Sequence, residues 1–192
     1  MSYIQHPTQL IKSQDTIIYV GAISGAARPQ VASNGGNVTV SGAPTPMYFL
    51  AGVTDASVAI NDNEQEYYLL GNGGFADSVI VTTRAQASIT SYFQRDLDGT
   101  EIQPTGFDEA MEVILRSRYD KNYEVFVQIY KLIGGSFTYD TVAFAASVMN
   151  YNESLPADNL VQTTFDLMSR GPVAAGQITV SGASLIPTAP NT

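Results

Sequence analysis

Hydrophobic and polar residues alternate along much of this chain, and the alternation is most sustained within residues 71–93. Val79, Val81, Thr83, Ala85, Ala87, Ile89, Ser91 and Phe93 fall on one face of an extended strand, with Thr82, Arg84, Gln86, Ser88 and Thr90 on the other. At about 3.3 Å per residue the segment runs to roughly 50 Å, well past the usual strand of about 5–6 residues, unless a bend or bulge divides it. A strand of that length needs long neighbours. The pattern therefore predicts an antiparallel β-domain built around it.

The neighbours are visible on both sides. Residues 48–60 read as a strand with Ala56, Val58 and Ile60 on one face and Asp55, Ser57 and Ala59 on the other. A polar stretch, Asn61 to Glu66, then leads through Tyr67–Leu70 into a glycine-rich loop at Gly71–Gly74. After a turn at Asp96–Gly99 the period changes: Phe107, Ala110, Met111, Ile114 and Leu115 share one helical stripe. Thr105 with Asp108 three residues on resembles a capping box, and acids early with Arg116 and Arg118 late suit the helix dipole. A helix over about 105–118 follows, docked on the sheet.

Alternation resumes at 123–133, with Tyr123, Val125, Val127, Ile129 and Ile133 inward and Glu124, Gln128 and Tyr130 outward. Gly134–Gly135 joins this run to a second one at 137–149, the signature of a β-hairpin. Residues 150–159 read as a loop. Val161, Thr163, Phe165 and Leu167 line one face of a further strand, which Gly171–Pro172 is expected to end. Residues 1–47 read as a polar arm with short strands at 17–20 and 37–40, residues 48–180 as the β-domain, and 181–192 as a flexible tail. The hexapeptide Val38–Ala43 returns nearly unchanged as Ile178–Ala183. Either both are edge strands that pair with something, or strand formers ending at a Ser-Gly turn simply recur.

Composition adds a constraint. Charged residues make up 14% of the 192, against about 25% in an ordinary soluble domain. Sparse charge suits a surface that meets other subunits; a neutral Ser/Thr/Asn/Gly surface is the competing account. Acidic residues outnumber basic ones 18 to 9, for a net charge of −9, so the chain repels nucleic acid overall. The tight basic group Arg116, Arg118 and Lys121 follows the helix, where cations match its dipole. With no cysteine, nothing points to an oxidising compartment. The apolar run at 17–20 is too short for a signal core or a membrane span, so a soluble product made in the cytoplasm, without a membrane partner, is expected.

Candidate chemistry is thin. The sole histidine is His6, in the arm, which disfavours Ser-His-Asp catalysis. The glycine loop lacks the Gly-Lys-Ser/Thr ending of a phosphate loop, so its glycines read as turn formers. Asp62, Glu64 and Glu66 alternate and share a side of an extended chain; they suit calcium by charge but lack the spacing of a calcium loop, which favours a solvated acidic face. Carboxylate pairs alone do not make a glycosidase, and there is no tryptophan to form a sugar platform. No enzyme activity and no cofactor or metal are expected. Tyr67, Tyr68, Tyr119, Tyr123 and Tyr130 leave open a monomeric carbohydrate-binding β-sandwich, although tyrosines alternating on strands more often pack.

The order of elements resembles that of the tail tube, or major tail, proteins of long-tailed bacteriophages. The resemblance rests on the strand ending at Ala56–Ile60, the acidic link Asp62–Glu66, Leu70–Ser78 with its glycines, and Arg84–Thr90. The helix, the 123–149 hairpin and the late Thr164–Pro172 strand complete it, over roughly residues 48–180. It implies an antiparallel β-barrel or sandwich with one flanking helix, assembling into stacked hexameric rings around a channel through which DNA passes without specific binding. It further implies partners in other tail proteins at the tube ends and, in some tails, a sheath. Asp62, Glu64 and Glu66 are the candidate lumen-facing acids. The loop at 61–77, with Asn61, Gly71, Gly73, Gly74, Phe75 and Asp77, is the candidate inter-subunit link. A capsid-decoration or other virion β-protein would share this composition.

Overall fold

The computed structural model describes residues 16–23, 28–50, 52–68, 76–93, 107–120, 122–133, 138–154 and 161–179. In chain order the described elements are β1 (Thr16–Ile23), β2 (Gln30–Asn34), β3 (Asn37–Ser41), β4 (Tyr48–Phe49), β5 (Val53–Tyr68), β6 (Ala76–Phe93), α1 (Phe107–Tyr119), β7 (Glu124–Leu132), β8 (Thr138–Ser154) and β9 (Val161–Thr179). The chain is mainly β with one described helix, and most strand pairs are antiparallel.

Hydrogen-bonded neighbours run β4–β1–β7–β8–β9–β6–β5, so β4 and β5 occupy opposite ends of the strand order. Only Leu50–Gly52 separates them in sequence. A connection of that length spans at most about 14 Å, so the sheet must curl until its two ends approach each other. Gly52 permits the break because its φ of 69° lies where a side chain is disfavoured. On either side of it Leu50 N–H donates to Ile18 O at 2.8 Å and Tyr92 N–H to Gly52 O at 3.0 Å, tying the break to both ends of the sheet. The continuous 48–60 strand read from sequence is therefore two strands.

The inner face of the curl holds Ile18, Val20, Ala85, Ala87, Ile89, Val125, Val127, Ile129, Phe144 and Val148 with Phe165 and Leu167. Helix α1 closes it with Ala110, Met111, Val113 and Ile114, packing on β8, β1, β4 and β7. Val113 replaces Leu115 on the buried stripe; Leu115 is only half-buried. Each large apolar side chain placed there stabilises the fold by about 1.5–3 kcal/mol. A second, smaller cluster lies on the outer face, where Met47, Phe126 and Ala143 meet Val31, Val38 and Val40 of the β2–β3 hairpin.

Several sequence expectations change for physical reasons. β1 pairs with β7 along all eight of its residues, so the chain from Thr16 belongs to the sheet rather than to an appended arm. The residues read as a 150–159 loop continue β8 to Ser154; Asn150 takes a φ of 50°, which asparagine tolerates, and the ladder with β9 resumes at Asn152. Gly171–Pro172 does not end β9. Register jumps from Ala146↔Ser169 to Phe144↔Val173, so Arg170–Pro172 bulge opposite Ala145, where Pro172 owes no ladder hydrogen bond. Glu124, Gln128 and Tyr130, expected to face outward, are buried too. The 123–133 and 137–149 runs do pair as antiparallel neighbours, from Val125↔Ala146 to Leu132↔Tyr139.

Candidate functional site

The surface that differs most from an ordinary domain exterior is the β5–β6 hairpin. β6 pairs with β9 only from Gln86↔Met168 to Phe93↔Val161. β5 and β6 pair with each other much further, from Val53↔Ser91 out to Tyr68↔Ala76. From Ile60 to Tyr68 on one strand and Ala76 to Ala85 on the other, the hairpin is a two-stranded ribbon leaving the sheet. Nine steps of strand from Ala59 reach roughly 30 Å. The polar stretch read as a loop from Asn61 is thus strand through Tyr68, and Asp77 lies in β6 opposite Tyr67.

The two faces of the proximal hairpin follow the alternation. Ala56, Val58 and Ile60 oppose the buried Ile89, Ala87 and Ala85, yet Val58 is 38% and Ile60 41% exposed. Their exposure follows from position: β5 ends the strand order, and no further described strand pairs with its outer edge. Register also slips between Asn63 and Glu64, leaving Val81 as the extra residue on β6. A bulge there increases local twist and turns the ribbon away from the plane of the sheet.

Two clefts border this hairpin. One, of about 410 Å³, lies between Asp55–Ile60 on β5 and Thr16, Ile129, Lys131, Asp140 and Val142 across the curl. It marks the seam where the sheet's ends face each other. The second, of about 630 Å³, sits in the fork where β6 parts from β9, lined by Thr82–Arg84, Met168, Ser169 and Gly171–Val173. At the fork Ala85 N–H donates to Ser169 Oγ at 2.9 Å, a side chain standing in for the departing ladder.

Below the fork, Asp166 accepts from Ser88 Oγ at 2.5 Å and from Asn150 Nδ2 at 2.6 Å. Burial works to raise this carboxyl, but the hydrogen bonds from Ser88, Asn150 and Gln86 outweigh it and hold the group below its ordinary value. The same contact secures the left-handed Asn150. At the far end of α1, the Arg118 guanidinium lies over Tyr151 at 4.3 Å and Tyr119 at 5.4 Å, and Arg116 over Tyr123 at 4.8 Å. Burial, then the hydrogen bond to Glu153, pushes the Tyr151 hydroxyl up, and Arg118 opposes that shift.

Of the residues singled out in sequence, Asn61 and Asp62 are exposed on β5, and Asp62 Oδ1 accepts from Thr83 Oγ1 at 2.6 Å. Glu64 and Glu66 occupy strand positions opposite Ile80 and Ser78. Gly71, Gly73, Gly74, Phe75 and His6 lie outside the described residues. Of the tyrosines weighed for a sugar groove, Tyr130 is buried edge-on between Tyr19 and Tyr139, while Tyr119 projects exposed from α1. Among the described residues no cluster of His, Cys, Asp and Glu could hold a metal, and no helix is long and apolar enough to cross a membrane. The Arg118–Tyr151 and Asp166–Asn150 contacts were missed in sequence, because both use residues assigned to a loop.

No protein-family model matches the chain, and no curated protein matches it in sequence. In three dimensions it is similar to the SPP1 tail tube, solved by solid-state NMR and cryo-EM, at a TM-score of 0.51 and 10% identity, covering 94% of this chain and 88% of that one. A chain of the native gene transfer agent virion aligns at 0.49 and 10% identity, covering 85% and 97%. One from the anti-feeding prophage baseplate aligns at 0.46 and 9%, covering 92% and 98%. The SPP1 likeness shows that the fold is tail-tube-like, in keeping with the resemblance drawn from sequence.

Proposed function

We propose that this chain is a structural virion subunit that polymerises into the tube of a phage-type tail. The observation that carries the reading is the β5–β6 ribbon, which leaves the sheet with an open β5 edge and exposed Val58 and Ile60 at its root. A long, uncovered edge strand is a template for pairing with another chain, and single domains blunt such edges unless a partner uses them. The tail-tube-like fold and the low content of charge support the same conclusion.

In this reading, copies close into rings, hexameric by the resemblance, and rings stack around a channel. DNA passes through without specific binding, because a wall with excess carboxylate disfavours the counterion release that holds nucleic acid on basic surfaces. The role is structural rather than enzymatic. Partners are other copies, further tail proteins at the tube ends and a sheath where the tail has one; assembly takes place in the host cytoplasm and the product resides in the virion tail. Negative-stain microscopy of the purified, concentrated protein tests this: hollow tubes or stacked rings are expected. Discrete trimers would favour a capsid-decoration role, and a persistent monomer would overturn the assignment.

A further inference from the structure

The ribbon needs a landing site, and the far end of α1 has the matching chemistry. The two strands of the ribbon carry four carboxylates, at Asp62, Glu64, Glu66 and Asp77, against one cation, Arg84, at the base. Of the nine basic residues in the chain, three fall within 116–121. Among the described residues no carboxylate lies within ion-pair distance of Arg116 or Arg118; Arg28 with Glu124 is the ion pair formed.

Both guanidiniums are instead held against aromatic faces, Arg116 on Tyr123 and Arg118 on Tyr119 and Tyr151. Stacking of that kind orients a guanidinium while leaving its in-plane N–H donors open to a carboxylate. Two nearby acids are already engaged, Asp120 by the Asn122 N–H at 2.9 Å and Glu153 by the Tyr151 hydroxyl at 2.5 Å. Tyr119 stands beside them 76% exposed. Tyr and Arg held rigid at a surface are the residue types that dominate protein–protein contacts.

We propose that Arg116, Arg118 and Tyr119 at the end of α1 form the docking point for the acidic β5–β6 ribbon of a second copy of this chain. This rests on the self-assembly reading above. It assigns Asp62, Glu64 and Glu66 to a subunit contact and leaves the channel wall to other carboxylates. Charge complementarity selects the occupant: beyond Arg84 at its base the ribbon carries carboxylates and no cation, projects from the body, and meets preorganised cations on the next copy.

The test is a charge swap on the full chain. R116E/R118E and, separately, D62K/E64K/E66K should each raise the concentration needed for assembly at least about tenfold, and the combined variant should recover most of that loss. R116Q/R118Q, checked for an unchanged thermal melt, guards against a folding defect and should weaken assembly less than the reversal. Wild-type assembly should weaken as salt rises. Arginine variants that assemble like the wild type, or a combined variant that recovers nothing, overturn the docking site and leave the tube reading standing. A wild type that never assembles overturns both.

Discussion

β7 and residues 57–63 of β5 are both strand, yet one is buried on both faces and the other on neither. In β7, Val125, Val127 and Ile129 face the inner core while Phe126, Gln128 and Tyr130 face outward, and all six are buried. In β5, Val58 and Ile60 are as apolar as their β7 counterparts and remain exposed, as do Asn61, Asp62 and Asn63 beyond them. The difference is neighbours. β7 sits between β1 and β8 with α1 against its inner face, whereas β5 has β6 alone. A two-stranded ribbon is marginal by itself in water. Stability therefore belongs to the body, and the proposed association to the ribbon.

That division can be broken by mutation, and the largest effect on stability should come from the body. Phe144→Ala, at a fully buried position in the inner core, should cost about 3–5 kcal/mol in urea unfolding. Next comes Arg28, whose Nε and Nη2 donate to Glu124 at 2.6 and 2.5 Å. Arg28→Ala strands a carboxylate that is largely buried and should cost about 1–3 kcal/mol, more than Glu124→Gln, which leaves behind a half-exposed cation. Denaturant titrations of the two variants measure that asymmetry.

Asp166→Asn should cost about 1 kcal/mol at neutral pH, the net worth of a hydrogen bond or two. Because the folded carboxyl titrates below its ordinary value of 3.8, its contribution is complete above that value and is lost as pH falls through the folded one. Stability curves for wild type and variant, followed downward from pH 7, should therefore converge below about pH 4. A gap that stays constant through that window would contradict the assigned hydrogen bonds. The smallest effect on stability should come from the ribbon. Deleting residues 61–76 should leave the body's unfolding free energy within about 0.5 kcal/mol of wild type while tube formation disappears. Normal tubes from that variant would remove the ribbon from the contact.

Much of the fold is legible without coordinates. The expected faces of β6 match the burial of Ala85, Ala87, Ile89 and Ser91, and the helix expected at 105–118 is described at Phe107–Tyr119. Thr163, Phe165 and Leu167 face inward as read. These succeed because alternation and helical spacing are local consequences of backbone geometry. Less of the candidate site is legible. The acidic composition of 61–66 is plain, but its strand pairing with 78–84 depends on partners 12 to 23 positions further along the chain. Arg118 and Tyr151, 33 positions apart, carry no mark of their contact.

The order of residues alone determined an antiparallel β-protein with a long hairpin, one docked helix, a strong acidic excess and little chemistry of the catalytic kind. Only the tertiary structure decided that β4 and β5 lie at opposite ends of a curled sheet, that the outward side of β7 is buried too, and that the polar 61–68 segment is half of a projecting ribbon. A strand's periodicity records which side chains share a face, but burial and edge exposure depend on which distant segments come to lie beside it.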